Sequence, residues 1–598
     1  MARSRSPTPQ KIRAQHGSGA AIYLALTGVA TAVAFLPALR NGFVNYDDDR
    51  LVLHNPHLAQ PLLDRLGWMW STTFLGHYQP LTWLSLSLDY ALGGLTPFAY
   101  HLDSLCWHVA AAMLLYGLLV DLLKRSGALT PADAPWVAIC AAVGALFWSI
   151  HPLRVESVAW VAERRDVVSV VFLLLAARAY LRAVDNGLAP LRSIRWFVAS
   201  CTCLLLSLLA KAWGMSFFVT LIALDVMPLS RLPLGREAFT DRRYRPVWIQ
   251  KIPYALLGVA AGALAWFAQR REPDTMVAVA DWTWSARVLQ AAYGLCFYVR
   301  KTIWPAHLAV MYGRPNPIDG WPAVFPVSLG LVAAAVVVIV WQARRHAAVA
   351  MAALAYAATV APVLGFAQSG PQLVADRYAY VSSLPFSALL AAALFALPRQ
   401  RRSVGRAVAA GCLAALAIAT WTGTTVWHDS ERLWAHALSV GESSYTAHMD
   451  YGQTLRASGR TDEAIVHYRI AAELQPSSGN AWYNLANALK AKGQLDDAER
   501  GYRTAIEHLD WKVGARVNLG NLYFGRGQLA PAIEQYRAAT AELAHARPDE
   551  FTPEPFLYLG IALADSGDRP AARDALRVAA TYPATRSRAL AELARIPR

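Results

Sequence analysis

Charge is what this chain has least of. Only 16% of its 598 residues are Asp, Glu, Lys or Arg, where soluble domains carry about 25%. Hydrophobic residues make up 55%, so most of the length is expected to be a multispanning membrane protein. Cysteine is scarce as well. Cys106, Cys140, Cys201, Cys203, Cys296 and Cys412 all fall in apolar segments. No disulfide framework is implied, and Cys201-Thr202-Cys203 lacks a metal-ligand pattern. A phosphate-cradling Gly-rich loop and a nucleophile elbow are both missing, which leaves soluble nucleotide chemistry unsupported. A membrane enzyme without a nucleotide site needs an activated substrate already in the lipid.

What charge there is leans basic, with a formal net charge of +15. The basic clusters lie in short loops between apolar runs, so the positive-inside rule accounts for them and no nucleic-acid partner is expected. Residues 1–19 read as a basic cytoplasmic tail carrying Arg3, Arg5, Lys11 and Arg13. The apolar run 20–39 follows, long enough to cross a bilayer, which takes roughly 20 residues. It is read as an uncleaved signal anchor. Ten further crossings are expected at about 98–123, 135–150, 166–183, 196–210, 214–229, 252–269, 323–343, 347–366, 382–398 and 405–426. The stretch 285–304 carries Arg287, Arg300 and Lys301 and is read as an interfacial helix. Eleven crossings make an odd number, so everything after about Trp427 lies on the side opposite the N-terminus. The domains are thus a tail 1–19, a transmembrane domain 20–427, a linker helix 428–445 and a soluble domain 446–598.

The soluble domain repeats. Gly459, Gly493 and Gly527 are spaced 34 residues apart, as are Ala464, Ala498 and Ala532, and Tyr468, Tyr502 and Tyr536. This period, with small residues at helix contacts and an aromatic in the second helix, is the tetratricopeptide pattern. A fourth unit is expected around Leu559-Gly560, Gly567 and Ala571. Stacked units build a superhelix with a concave face suited to extended peptide. The fold class is therefore all-α, a polytopic helix bundle followed by a repeat superhelix.

The candidate chemistry lies in loops on one side of the membrane. The first holds Phe43-Val44-Asn45-Tyr46-Asp47-Asp48-Asp49. Crowded carboxylates raise one another's pKa, and one placed against a hydroxyl is a general base. A solvated acidic loop or a helix N-cap reads the same residues more plainly. A later loop holds His151, Glu156, Arg164 and Asp166, another holds Lys211, and a third holds Arg377 and Tyr378. Arginine suits phosphate because it donates bidentately; an interfacial anchor or a loop ion pair is the alternative for each. His101 and His108 stand seven apart, two turns on one helix face. Without a third ligand they are read as interior polar residues, not a metal site.

Together these residues resemble a family. Phe43-Val44-x-Tyr46-Asp47-Asp48 with Asn55-Pro56, Tyr78-x-Pro80-Leu81-Thr82, His151-Pro152 with Glu156, Arg164-x-Asp166, and Asp376-Arg377-Tyr378-x-Tyr380 are similar to motifs of the transmembrane and tetratricopeptide-repeat O-mannosyltransferases. The resemblance implies a membrane glycosyltransferase of the GT-C type. It implies a sugar, mannose in the family, carried on a polyprenyl phosphate, and a protein hydroxyl outside the cytoplasm as acceptor. In that setting Asp47, or Asp48, is the base. Asp49, His151, Glu156, Arg164, Asp166, Lys211, Arg377 and Tyr378 bind substrate or lipid phosphate. The family tends to carry an acidic residue where this chain has Ala212. No cofactor is firmly implied, and a divalent metal is compatible without being required. The expected setting is a bacterial inner membrane, with loops and repeats on the extracytoplasmic side. Two other readings remain open: a non-catalytic membrane scaffold, and a transferase acting on glycolipid or envelope polysaccharide.

Overall fold

Why the apolar runs pack as they do is written in their small and polar residues. The computed structural model describes residues 9–127, 130, 133–184, 192–271, 283–313, 322–366, 372–441, 444–544 and 551–597. The chain divides into two units, Met1–Glu442 and Ser443–Arg598. In the first, the helices Pro9–Ala34, Pro97–Arg125 and Ala134–Ser149 pack together, and Arg164–Ala183 packs along Ile194–Ala210. Hydrocarbon offers no driving force between apolar helices, so close approach and interhelical hydrogen bonds decide the contacts. A Cβ on Gly144 would lie 2.7 Å from the Ser387 carbonyl oxygen, so the helix there needs glycine. The Thr31 and Ser149 hydroxyls meet at 2.8 Å, and those of Ser169 and Ser207 at 2.9 Å.

Among the described residues, four helices are long and apolar enough to cross a membrane: Pro97–Arg125, Ile252–Arg271, Val324–Gln342 and Arg399–Val426. The number becomes six if each of two bent pairs is one span, and four shorter apolar helices have 10–17 residues. Eleven crossings were the expectation; length and composition alone identify this smaller set. One bent pair joins Ala134–Ser149 to Pro152–Ala159 at 56°. Proline at 152 removes an N–H and disfavours the helical conformation of the residue before it, and His151 is extended there, at φ −78° and ψ 136°. The other joins Asp376–Ser382 to Leu384–Phe395 at 55°. The stretch read as interfacial is a helix, Trp284–Ile303. Its Arg287 donates to the Gly365 and Phe366 carbonyls, and its Lys301 to those of Ala306 and His307.

The breaks gather several loops at one end of the bundle. Gly42 N donates to the His428 carbonyl at 2.8 Å and Trp160 Nε1 to the Tyr46 carbonyl at 2.6 Å. Arg154 Nη1 donates to the Ala379 carbonyl at 2.6 Å. A two-stranded antiparallel sheet, Tyr312–Gly313 with Gln372–Val374, stiffens the same end. The Ser430–Ser439 helix, expected as part of a linker, is packed into this unit. Its Leu433 and Trp434 are buried, and Trp434 Nε1 donates to Asn45 Oδ1 at 2.7 Å.

The second unit is four helix pairs and a final helix. The pairs are Tyr445–Ala457 with Thr461–Leu474, Gly479–Ala491 with Leu495–His508, Val513–Gly525 with Leu529–Leu543, and Glu554–Asp565 with Arg569–Thr581; Pro583–Arg595 follows. Gly459, Gly493, Gly527 and Gly567 turn each pair at positive φ, from 74° to 90°, where a Cβ is disfavoured. Ala464, Ala498 and Ala532 are fully buried. In the fourth unit that place belongs to Ala572, not Ala571, five residues after the turn glycine as in the others.

Ala498→Leu is expected to destabilise its helix pair by about 1–3 kcal/mol through overpacking. Faster hydrogen exchange in 479–508 of the full chain checks this, and Arg500→Ala on the exposed face leaves exchange unchanged.

Candidate active site

The acidic triplet is split by its own backbone. Asp47 has φ of +67°, a left-handed conformation costly to most L-residues and tolerated best by Asn and Asp. The turn sends the two side chains apart. Asp48 is buried, its Oδ2 accepting from Val44 N at 3.1 Å and its Oδ1 from Ala162 N at 2.9 Å. It is a strut between the first loop and the loop around residue 162. Asp47 is half-buried and accepts no hydrogen bond from the described residues. Burial pushes the Asp47 carboxyl above its usual range, opposed by Arg165, Arg50 and Arg377. Burial pushes Asp48 further up, opposed by its two amide donors.

Beside Asp47 lies a knot of charge centred on Glu163, which is wholly buried. Its Oε1 accepts from Arg165 Nη2 at 2.7 Å and pairs with Arg377 Nε at 3.3 Å. Its Oε2 accepts from Lys211 Nζ at 2.7 Å and Arg165 Nε at 3.1 Å. Burial alone would raise the Glu163 carboxyl, but Arg165, Lys211 and Arg377 overcome it and hold it well below the usual range. Two more carboxylates share the cations. Asp166 Oδ1 accepts from Lys211 Nζ at 2.7 Å and also from Trp213 Nε1, and its Oδ2 from Ser157 Oγ at 2.8 Å. Glu156 Oε2 accepts from the Arg377 backbone N at 2.7 Å, and its Oε1 pairs with Arg377 Nη1. Three carboxylates thus fix three cations. Ion pairs this deep add little net stability, so what the knot secures is position.

Aromatic rings wall the knot. Tyr46 stacks on Trp160 at 4.4 Å and meets Trp434 edge-on at 5.4 Å, and Trp160 stacks on Trp427 at 5.7 Å. The Arg377 guanidinium lies over Trp160 and Tyr378. Glu156 also lines a cavity of about 340 Å³, together with Asp376, His307, Gly423 and Trp427.

The structure brings Asp47, Glu156, Asp166, Lys211, Arg377 and Tyr378 together. It does not bring Arg164. That guanidinium is fully buried, and each of its three nitrogens is held. Nη1 meets Asp89 at 2.7 Å and Ser85 Oγ at 2.9 Å, Nε donates to Ser104 Oγ at 2.8 Å, and Asp103 and the Tyr100 carbonyl take the rest. Arg164 clamps Pro80–Gly93 and Pro97–Arg125 to the helix it begins, and its side chain is wholly buried in that clamp. Its neighbour Arg165 occupies the cluster instead, with 13% of its side chain exposed. Successive helical residues point about 100° apart, and no charge count tells which of the two turns inward.

His151 is also structural. Its Nδ1 accepts from Leu153 N at 3.2 Å, so Nε2 carries the proton and donates to the Thr302 carbonyl at 3.0 Å. It caps the Pro152–Arg154 turn, with both ring nitrogens engaged by backbone. Asp48 is occupied as described, and Asp49 opens the Asp49–Leu53 turn. The Tyr378 hydroxyl accepts from Gln372 Nε2 at 2.9 Å. His101 and His108 each reach a backbone carbonyl, of Gly42 and of Ser149. No group of three His, Cys, Asp or Glu among the described residues is set to hold a metal. Residues not singled out in the sequence join the site: Glu163, Arg165, Trp160 and His77. Glu163 stood in view within a dense charge run; His77 carried no local signal.

Comparison with known proteins supports both halves. Residues 452–493 match a tetratricopeptide (TPR) repeat family model. The chain is 28% identical to the Drosophila melanogaster protein O-mannosyl-transferase Tmtc1 over 337 residues, 52% of this chain and 35% of that protein. It is 30% identical to the Homo sapiens protein O-mannosyl-transferase TMTC2 over 202 residues, 32% of this chain and 22% of that protein. Against Homo sapiens TMTC1 the identity is 23% over 518 residues, 77% of this chain and 56% of the relative. In each case the match spans less than two thirds of the relative's length. Homologues of this membrane chain are thus the TMTC protein O-mannosyl-transferases.

Arg164→Gln strands Asp89 and Asp103 without their cation and is expected to cost about 3–5 kcal/mol. Arg165→Gln leaves Glu163 with two cations and costs about 1 kcal/mol. Thermal unfolding of the two purified variants in detergent checks the order.

Proposed function

We propose that the chain moves a sugar, mannose as in its relatives' names, from a polyprenyl-phosphate carrier to a protein hydroxyl. The observation that carries this reading is Asp47, a carboxylate that accepts no hydrogen bond from the described residues and lies beside the fixed cations Arg165, Lys211 and Arg377. The setting is the extracytoplasmic face of a bacterial inner membrane, with the repeats holding the acceptor polypeptide.

In the proposed step Asp47 takes the proton of a Ser or Thr hydroxyl. The freed oxygen attacks the anomeric carbon, and the bond from that carbon to the phosphate oxygen breaks. The bonding pair leaves with the carrier phosphate, which gains one negative charge. Attack from the face opposite the phosphate inverts the centre. Prepositioned cations stabilise that charge without reorganising at the moment of reaction. A phosphate leaving group carries its charge well, so no metal is obligatory. Glu156, Glu163 and Asp166 hold the cations in place and touch no reacting atom. The cavity that Glu156 lines, with its wall of Ala419, Gly423 and Val426, suits the first isoprene units of the carrier.

Replacing Asp47 and Asp48 separately by Asn tests the assignment in membranes supplied with a polyprenyl-phosphate sugar. Asp47→Asn should lose about 10²–10⁴ in rate, as removal of a general base does. Asp48→Asn should mainly lose stability, because an amide NH₂ then faces a backbone N–H. Full transfer by the Asp47 variant would discard the base.

The pH profile follows with a definite sign. Asp47 must be ionised to work, so activity falls as pH drops through its pKa. Burial raises that pKa and Arg165 lowers it. Arg165→Gln should therefore move the acid limb of kcat/KM to higher pH; a limb that stays put, or moves down, would remove Asp47 from the role.

A further inference from the structure

We infer that His77 is a further donor-binding residue, giving an Nε2–H hydrogen bond to the carrier phosphate on the Lys211 side of the site; this rests on the transferase reading above. His77 lies on the strained turn Leu75-Gly76, with φ of +55° and +72°, just before the Pro80–Gly93 helix. Two ties place it. Thr82 Oγ1 donates to the Ala210 carbonyl at 3.0 Å, pinning that helix beside Lys211. Gln269, from the Ile252–Arg271 helix, pins the turn itself: its Nε2 donates to the Gly76 carbonyl at 3.0 Å and meets His77 Nδ1 at 3.3 Å.

That second tie fixes the tautomer. A carbonyl oxygen only accepts, so the Gln269 atom facing Gly76 is the nitrogen. The same NH₂ makes His77 Nδ1 an acceptor, and a neutral imidazole then carries its proton on Nε2. The turn leaves no slack, since a Cβ on Gly76 would sit 3.2 Å from the Gln269 amide. The charged groups acting on His77 are Arg165, Lys211, Glu163 and Arg377, from two other loops and a helix start. Burial, then Arg165 and Lys211, hold the imidazole well below its usual pKa. It therefore stays uncharged among three cations. A neutral N–H there adds a donor without adding repulsion to the empty site, and the ligand that such a donor among cations selects is an anion.

The experiment uses the full chain in detergent, with farnesyl monophosphate, farnesol and inorganic phosphate as probes. His77→Gln keeps an N–H near the place of Nε2, whereas His77→Asn reaches only as far as Nδ1. The Asn variant should bind farnesyl monophosphate about tenfold or more weakly, the range of one hydrogen bond to a charged group. The Gln variant should stay within about threefold of wild type, and farnesol binding should be equal in all three. Equal affinity of the Asn variant and wild type for farnesyl monophosphate overturns the inference, as does a parallel loss of farnesol binding, which marks a structural role. Inorganic phosphate binding as tightly as farnesyl monophosphate assigns the site to a free anion and overturns the lipid-carrier form. A wild-type chain that binds farnesyl monophosphate no better than farnesol removes the transferase reading itself.

Discussion

A single buried carboxylate, Glu163, organises the loop end of the bundle. It accepts from Arg165 and Lys211 and pairs with Arg377, residues that come from three separate stretches of chain. Glu156 and Asp166 complete the neutralisation. Isolated charges in such surroundings would be prohibitive, and even paired ones roughly break even against apolar packing. The knot is therefore poorly explained as a source of stability. It is well explained as a device that sets three cations at fixed points before any ligand arrives.

The same economy separates the two aspartates. Adjacent residues in ordinary extended backbone point to opposite faces, but both would remain on the loop surface. The left-handed turn at Asp47 lets Asp48 go inward to bond Val44 N and Ala162 N while Asp47 stays accessible. A residue in that conformation persists only where its surroundings hold it there. Here they do: Tyr46 is sandwiched against Trp160 and Trp434, and Asp48 is stitched on the other side. Strain at Asp47 and saturation at Asp48 are two consequences of one turn.

Much of the architecture was legible because it is periodic. The repeat spacing of 34 found the buried alanines and turn glycines of the second unit, and it slipped by one residue at Ala572. Gly567 stands 40 residues after Gly527, so the 34-residue period does not reach the fourth unit, and two adjacent alanines, Ala571 and Ala572, follow the turn glycine. The apolar runs found the helices, and the turn-forming His151-Pro152 marked a break. Side-chain direction was not legible. Arg164 and Arg165 are the same residue type one position apart, and which of them faces Asp89 and Asp103 is decided by packing between distant helices. His77 was invisible for a related reason: its place depends on Gln269, 192 residues away in sequence. Charge runs locate a loop with function in it, and tertiary contacts choose the members.

The charge inventory also says which cations can answer a ligand. Arg377 is held twice by Glu156, through its backbone N and its guanidinium, and its head is flanked by Trp160 and Tyr378. Only 7% of its side chain is exposed. Lys211, at 18%, and Arg165, at 13%, keep more of the side chain exposed. A phosphate entering beside Asp47 would compete with Glu163 for these two, and Glu163 could release one and still keep Arg377. On the proposed reading, Arg377 is then the fixed wall of the site. Lys211 and Arg165 are the donors that face the carrier, and Glu163 is the counter-charge that holds them in place when no carrier is bound.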